Sequence, residues 1–259
     1  MYIHKFNKTI SMLSKSQVKY IQSLHQKKFR AISGAYIVEG PKISEECIAQ
    51  APGKVEYVAG LSEWMTGHSN ILQQIPRERL FQVGAAELEK ISALSTPNEV
   101  LVVLRKEEAL DWVLPENAWC LALDGIQDPG NLGTIIRIAD WFGVSYLLCS
   151  SECAELYNPK VIQASMGSFL RILPQYTDLV PWLSVQDRPV YAATLEGEPI
   201  TRLREAAPGI ILIGNESKGI RPEARALATR EVTIPRIGAA ESLNAAVATG
   251  ILLSHFCNR

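Results

Sequence analysis

Apolar and polar positions alternate along this chain in two successive programmes, and a charged interval separates them. From Ser14 the run SKSQVKYIQSLHQKKFR sets Val18, Ile21 and Leu24 on one stripe, which predicts a single amphipathic helix with Lys19, Lys27 and Lys28 turned to water. Short β-rich runs follow, YIVEG at 36–40, VEYVAG at 55–60, RLFQVG at 79–84 and EVLVVL at 99–104, interleaved with helical KISEECIAQ and AAELEKISAL. This alternation predicts a small α/β domain over residues 1–106. The stretch RKEEALDWVLPENA carries many charges and Pro115, so residues 107–117 read as a linker. A second alternation occupies residues 118–259: strand WCLALDGI, a helix after Asn131, strand SYLLCS, a helix from Asn158, strands PVYAATLEG and GIILIGNE, a helix after Pro222, strand EVTIPRI and a final helix to Phe256. The pattern is that of a parallel sheet of six strands.

Composition narrows the class. In 259 residues, 47% hydrophobic, there is core enough for two modest domains. No uninterrupted apolar run approaches the ~18 residues of a spanning helix, and the start lacks the apolar centre of a secretion signal, so a cytoplasmic protein is expected. The five cysteines, Cys47, Cys120, Cys149, Cys153 and Cys257, lack the paired CxxC spacing of a zinc site and read as reduced thiols, and no metal is expected. Net charge is only −1, but the residues before Glu39 include seven Lys and Arg and no Asp or Glu. That segment reads either as a solvated charged helix or as a phosphate-contacting face, with Lys19, Lys27, Lys28 and Arg30 as its RNA-binding candidates. A mitochondrial transit peptide is disfavoured because Lys dominates over Arg and the segment runs straight into a strand.

The common nucleotide and hydrolase signatures are missing: there is no GxxxxGK[ST], no GxGxxG after the first strand of either domain, no GxSxG and no HExxH. The four histidines lie outside the polar stretches, which argues against histidine catalysis. Three polar stretches at strand ends of the second domain remain, and ligands of open α/β sheets bind at such ends. In DPGNLGTIIRIADWFGV, Asp128 to Gly130 is turn chemistry and Asn131 is a possible helix cap. Arg137 then sits on a helix whose apolar residues leave it little exposed face, so it calls for a partner such as phosphate. In IGNESKGI, Gly214 permits close backbone approach and Glu216 stands just past an apolar strand, although a simple turn would also explain it. The third stretch, IPRIGAAESLNAAVATGILL, reads by itself as the polar start of the last helix.

Taken together and in order, Asn131 with Arg137, Gly214-Asn215-Glu216 with Gly219, and Ile234-Pro235, Gly238 and Ser242-Leu243-Asn244 closely resemble the three motifs of the SpoU family of RNA ribose 2′-O-methyltransferases, part of the SPOUT superfamily. The resemblance covers the domain from about residue 118 and is tightest in NLGTIIR, GNE and SLNAAVATG; KKFRAISGAYIVEG and, more loosely, STPNEVLVVL resemble the family's substrate-binding domain. The chain departs from the family pattern at Asn98-Glu99, at Gln163, where many relatives have Arg, and at Trp141, where a small residue is usual.

The resemblance implies an α/β fold whose C-terminal parallel-sheet domain closes in a trefoil knot. It implies S-adenosylmethionine as cofactor, held by Thr194, Leu195, Gly214, Asn215, Glu216, Ile234, Pro235, Ile237, Ser242, Leu243 and Ala248, and a catalytic set of Asn131, Arg137, Glu216, Ser242 and Asn244. The implied substrate is RNA, ribosomal or transfer, with ribosomal RNA favoured. A binding protein that has lost catalysis and a base-methylating SPOUT enzyme are the rival readings. The final helix carries Ala245, Ala246, Val247, Ala248, Ile251, Leu252 and Leu253 around much of its circumference, more than one packing face needs. In relatives a second copy covers that surplus, so a homodimer is expected, with Trp141 at the contact and Leu252 as a position sensitive to charge.

Overall fold

The computed structural model describes residues 12–107, 112–203 and 206–257. Lys5, Lys8 and the linker residues 108–111 lie outside them. The chain divides into two compact units, Met1–Glu107 with Tyr157–Pro159, and Glu108–Leu156 with Lys160–Arg259.

The first unit holds strands β1 (Ala35–Glu39), β2 (Val55–Gly60), β3 (Leu80–Gln82) and β4 (Val100–Arg105). Their order is β1-β4-β2-β3, with β4 antiparallel to both neighbours and β2 parallel to β3. β1 is buried throughout and β4 in all but Arg105, which is why they read as unbroken apolar runs. The helices are α1 (Lys15–Ser23), α2 (Lys27–Ser33), α3 (Pro41–Gln50), α4 (Ser62–Gly67), α5 (Ser69–Leu72) and α6 (Ala85–Ile91). Ile21 and Leu24 join Ile37, Phe81, Leu88, Ile91, Leu101 and Val103 in one core cluster.

The single helix expected from Ser14 onward is two. Ser14 and Gln17 form a capping box that starts α1, and the chain breaks at 24–26 before α2 begins. Arg30 fixes the break: its Nη1 donates to the carbonyls of Leu24 at 2.8 Å and His25 at 2.9 Å, which α1 leaves open as it ends. Arg30 is 2% exposed, so its expected place on an RNA-contacting face is corrected to a structural one. A pattern of hydrophobic spacing cannot show this, because a buried arginine on carbonyls and a surface arginine on phosphate have the same letter. Lys19, Lys27 and Lys28 are exposed.

The second unit is a parallel sheet of six strands, β5 (Cys120–Asp124), β6 (Tyr146–Cys149), β7 (Gln175–Tyr176), β8 (Val190–Pro199), β9 (Ile210–Gly214) and β10 (Arg230–Thr233). Their order is β10-β8-β9-β5-β6-β7. It is packed with α7 (Pro129–Trp141), α8 (Pro159–Ser165), α9 (Leu179–Ser184), α10 (Pro222–Arg225) and α11 (Ala245–Cys257). Central β5 is wholly buried, and β9 is buried up to Gly214. β8 and β10 pair in two registers, Tyr191 and Ala192 against Arg230 and Glu231, then Glu198 and Pro199 against Val232 and Thr233. Residues 193–197 therefore leave the ladder and form a protrusion at the end of the sheet.

Asp128, not Asn131, caps α7: its side chain accepts from the Asn131 backbone N–H at 2.8 Å. Leu132, Gly133, Ile135, Ile136 and Ala139 face the core. A Cβ on Gly133 would stand 2.5 Å from the Val161 carbonyl oxygen, so the helix lies hard against α8 there. The other face of α7 is open. Thr134, Arg137 and Trp141 point outward, which corrects the expectation that this helix leaves little exposed surface.

Replacing Arg30 by Met keeps most of the side-chain length but leaves the Leu24 and His25 carbonyls without donors. A loss of about 1–3 kcal/mol is expected, read as a lowered thermal midpoint. An unchanged midpoint would show that water satisfies those carbonyls equally well.

Candidate active site at the carboxyl ends of the parallel strands

β9 ends at Gly214, and the chain turns back at once. Asn215 and Gly219 exchange backbone hydrogen bonds at 3.0 and 2.9 Å, and the Asn215 side-chain oxygen accepts from the N–H groups of Ser217 and Lys218. The Asn215 amide donates to the Gly125 carbonyl at 2.8 Å, fastening the turn to the end of β5. Any Cβ on Gly214 would lie 2.3 Å from backbone atoms of Gly219 and Ile220, so only glycine fits. Beyond the turn, buried Asp124 accepts from both the backbone N–H and Nε of Arg221 at 2.8 Å. The turn is thus tied down at both ends, and Glu216 stands at its tip.

Asn244 precedes the first residue of α11. Its Oδ1 accepts from the backbone N–H groups of Ala246 at 3.0 Å and Val247 at 3.3 Å, so the helix-start reading of this stretch holds. The other end of the same amide does something else. Its Nδ2 donates to Asn131 Oδ1 at 2.8 Å, and Asn131 Nδ2 in turn donates to Glu216 Oε1. Backbone N–H groups only donate, so Asn244 must turn its oxygen to the helix and its nitrogen to Asn131. The same logic then turns the Asn131 nitrogen to Glu216. One residue from each polar stretch is joined in a chain of fixed polarity.

Beside this chain lies a cavity of about 730 Å³. Thr194 and Leu195 reach it from the protrusion of β8, Gly214, Asn215 and Glu216 from the turn, and Ile234, Pro235, Ile237, Ser242 and Leu243 from the segment before α11; Ala248 closes it from α11. All eleven residues expected to hold a cofactor line it. The Asn215 side chain is committed to the turn, so what it offers the cavity is backbone. Leu195, Ile237 and Leu243 stand exposed, and residues 235–244 are exposed throughout. Exposed apolar side chains, backbone groups at a tight turn and one carboxylate suit a ligand with a flat apolar part and polar edges, and the volume is that of a small-molecule site.

Of the expected catalytic set, Glu216 and Ser242 line the cavity, while Asn131 and Asn244 touch it through Glu216. Arg137 is six residues along α7 from Asn131, exposed, and makes no hydrogen bond or ion pair among the described residues. Sequence reasoning missed Leu252, which lines the cavity from α11, and the pair formed by Arg225 with Glu231, at 2.6 and 2.7 Å, to which Thr194 Oγ1 adds a donor at 3.3 Å. Hydrogen bonds from Arg225 hold the Glu231 carboxyl below the usual carboxylate range. No sequence signal marks Leu252, which is one apolar residue among many.

The surplus apolar surface of α11 is smaller than its composition suggests. Leu252 is 1% exposed and Leu253 is fully buried in this chain, so the expectation that Leu252 faces a second copy is corrected. The exposed positions are Val247 and Ile251, on a helix packed against α7, where Trp141 is 84% exposed. Among the described residues no helix is long and apolar enough to cross a membrane.

Residues 118–254 match the family model described as the SpoU rRNA Methylase family, and residues 15–102 match that of an MRM3-like substrate binding domain. The chain is 28% identical to the 23S rRNA (guanosine(2553)-2′-O)-methyltransferase RlmP of Bacillus subtilis, over 96% of this chain and 98% of that protein. A TrmH-family structure from Porphyromonas gingivalis superposes with a TM-score of 0.83 at 34% identity, covering 95% of this chain and 98% of its own. An rRNA methyltransferase from Sinorhizobium meliloti, solved with AdoMet bound, superposes at 0.80 with 28% identity and covers 96% of each chain. The motif turn, the capped final helix, the cavity they share and a family match over more than half the sequence agree: this chain belongs to the SpoU rRNA methylase family.

Proposed function

We propose that this protein transfers a methyl group from S-adenosylmethionine to a ribose 2′-hydroxyl of RNA, with ribosomal RNA as the favoured substrate and transfer RNA as the alternative. The observation that carries this reading is the oriented chain from Asn244 through Asn131 to Glu216 at the edge of the cavity. A pure binding surface needs no such fixed polarity. S-adenosylmethionine supplies, when bound, a methyl group already activated on a sulfonium. The residues suited to hold it are Thr194, Leu195, Gly214, Ile234, Pro235, Ile237, Ser242, Leu243 and Ala248, with backbone groups and apolar walls for the adenine.

The protein's own part is alignment and charge. Glu216 has one oxygen engaged by Asn131 and offers the other as an acceptor to the incoming hydroxyl. Arg137, without a partner among the described residues, binds the neighbouring phosphate and stabilises the developing alkoxide. It is not a free base, because guanidinium stays protonated in proteins. Lys19, Lys27 and Lys28 give the first unit its phosphate contacts.

The same reading assigns residues 1–106 to RNA binding, 107–117 to a linker and 118–259 to the methyltransferase domain, knotted as a trefoil, in a cytoplasmic enzyme. It also takes the protein as a homodimer through α7 and α11, because Trp141, Val247 and Ile251 together leave apolar surface that a second copy covers.

Three outcomes are expected. Arg137→Ala abolishes methyl transfer while calorimetry finds S-adenosylmethionine binding nearly unchanged; near-normal turnover would sink the assignment. Asn244→Asp keeps an oxygen for the α11 cap but puts a carboxylate against Asn131, reversing that amide and pointing its oxygen at Glu216. The thermal midpoint should hold while turnover falls roughly tenfold or more, the scale of one oriented hydrogen bond. Full activity in that variant would remove the relay from the mechanism. Ile251→Arg, at a position 37% exposed, should preserve the fold and convert a two-chain mass to a one-chain mass in light scattering. A wild-type mass of one chain with full activity would exclude the dimer.

A further inference from the structure

The first unit contains a helix that buries almost nothing. Of the seven residues of α2, only Arg30 is buried, and its guanidinium serves the end of α1. Lys27, Lys28, Phe29, Ala31, Ile32 and Ser33 are all exposed. A helix this short does not persist on its own. It is held by the Arg30 anchor and by Gly34, whose left-handed backbone (φ 64°) closes it while its N–H donates to the Arg30 carbonyl.

What it presents is unusual for a solvated face. Phe29 and Ile32 stand three apart and Lys28 and Ile32 four apart, so the three share one side. Phe29 is 39% exposed and Ile32 72%. Lys27 and Lys28 make no hydrogen bond or ion pair among the described residues, and no acidic residue precedes Glu39 in the sequence. The face is therefore apolar and cationic at once, and neither lysine is paired among the described residues. Lysines beside a duplex backbone would leave Phe29 and Ile32 wet, and an apolar protein partner would leave the lysines uncompensated. An unpaired RNA segment satisfies both, since it offers phosphates to the cations and base faces to the ring.

We infer that α2 reads an unpaired segment of the RNA substrate: Phe29 stacks on a base, Ile32 covers its edge, and Lys27 and Lys28 neutralise the adjoining phosphates. This rests on the reading of the protein as an RNA-modifying enzyme. It separates two roles within one helix. The stacking contact adds affinity without salt dependence, whereas each lysine adds affinity together with salt dependence.

The test uses the full-length protein and fluorescence anisotropy with a fluorescein-labelled oligoribonucleotide of about a dozen nucleotides, single-stranded or paired with its complement, over a salt series. Phe29→Ala should weaken single-strand binding roughly 5-fold or more with the salt slope unchanged, and leave duplex binding as in wild type. Phe29→Tyr should restore the affinity and Phe29→Leu should not, since a leucine fills the volume but offers no ring. Lys27→Ala and Lys28→Ala should each reduce the single-strand slope by about 0.7. Thermal midpoint and calorimetric binding of S-adenosylmethionine, measured on every variant, report whether the fold is kept. Wild-type affinity in Phe29→Ala, full affinity in Phe29→Leu, equal losses on single strand and duplex, or no single-strand binding by the wild type would each overturn the inference. Methyl transfer into purified ribosomal RNA, assayed in parallel, keeps the two readings apart. Phe29-dependent binding without transfer would defeat the enzymatic reading alone, and transfer with Phe29-independent binding would defeat this one.

Discussion

The site depends on one amide with two ends. Asn244 must give its oxygen to the first free N–H groups of α11, because those groups have no other partner, and this leaves only its nitrogen for Asn131. Asn131 is then oriented in its turn, and Glu216 receives a donor rather than facing another acceptor. Residues 113 positions apart in the chain are joined at the first step and residues 85 apart at the second. A helix cap, an ordinary local device, so becomes the reference that sets the hydrogen-bond polarity of a site assembled from three distant stretches.

That chain requires the three stretches to meet at one place, and the parallel sheet arranges it. β9 lies beside β5 and, across β8, one strand from β10, and all run in the same direction, so their following loops emerge at the same edge. The loops differ in how closely they are tied to the sheet. The turn after β9 has its backbone and Asn215 hydrogen bonds closed on themselves and on β5, and Gly214 brings it within the distance of a missing Cβ from Ile220. The segment before α11 is exposed along its whole length, with Arg236 donating to the Ala240 carbonyl across it at 3.2 Å. A hydrogen-bonded acidic turn and an exposed segment with apolar side chains thus face one cavity. The first puts the Glu216 carboxylate at the edge of the cavity, and the second presents the exposed side chains of Ile237 and Leu243 to it.

Four arginines of this chain show how burial and partner decide the part a guanidinium takes. Arg30 ends a helix, Arg221 seals the turn against Asp124, Arg225 braces Glu231 beside the cavity, and Arg137 alone among these has no partner among the described residues. It stands on the open face of the helix that carries Asn131. The surroundings of Arg137 differ from those its sequence suggests. Its neighbours along the chain imply an apolar surrounding, whereas α7 shows Thr134, Arg137 and Trp141 to the outside.

Legibility followed range. The buried strands β1, β4, β5 and β9, the obligatory glycine at 214, the turn chemistry of 215–219 and the polar start of α11 were readable because each depends on neighbours a few residues away. So were eleven of the residues that line the cavity, though only through motifs whose meaning comes from their joint order. Periodicity missed whatever depends on a contact between distant residues or on which side of a helix the core lies. Asp128 outcompeted Asn131 for the cap of α7, Arg30 turned inward and broke a helix whose apolar stripe runs on unbroken, and Leu252 lies in the core while Ile251, its neighbour with an equal claim by hydropathy, faces out. Local propensity and spacing determine which segments become strands, turns and caps. Which donor meets which acceptor is settled only when the sheet brings the segments together, because a hydrogen bond needs its partner within about 3 Å and no pattern along the chain measures that distance.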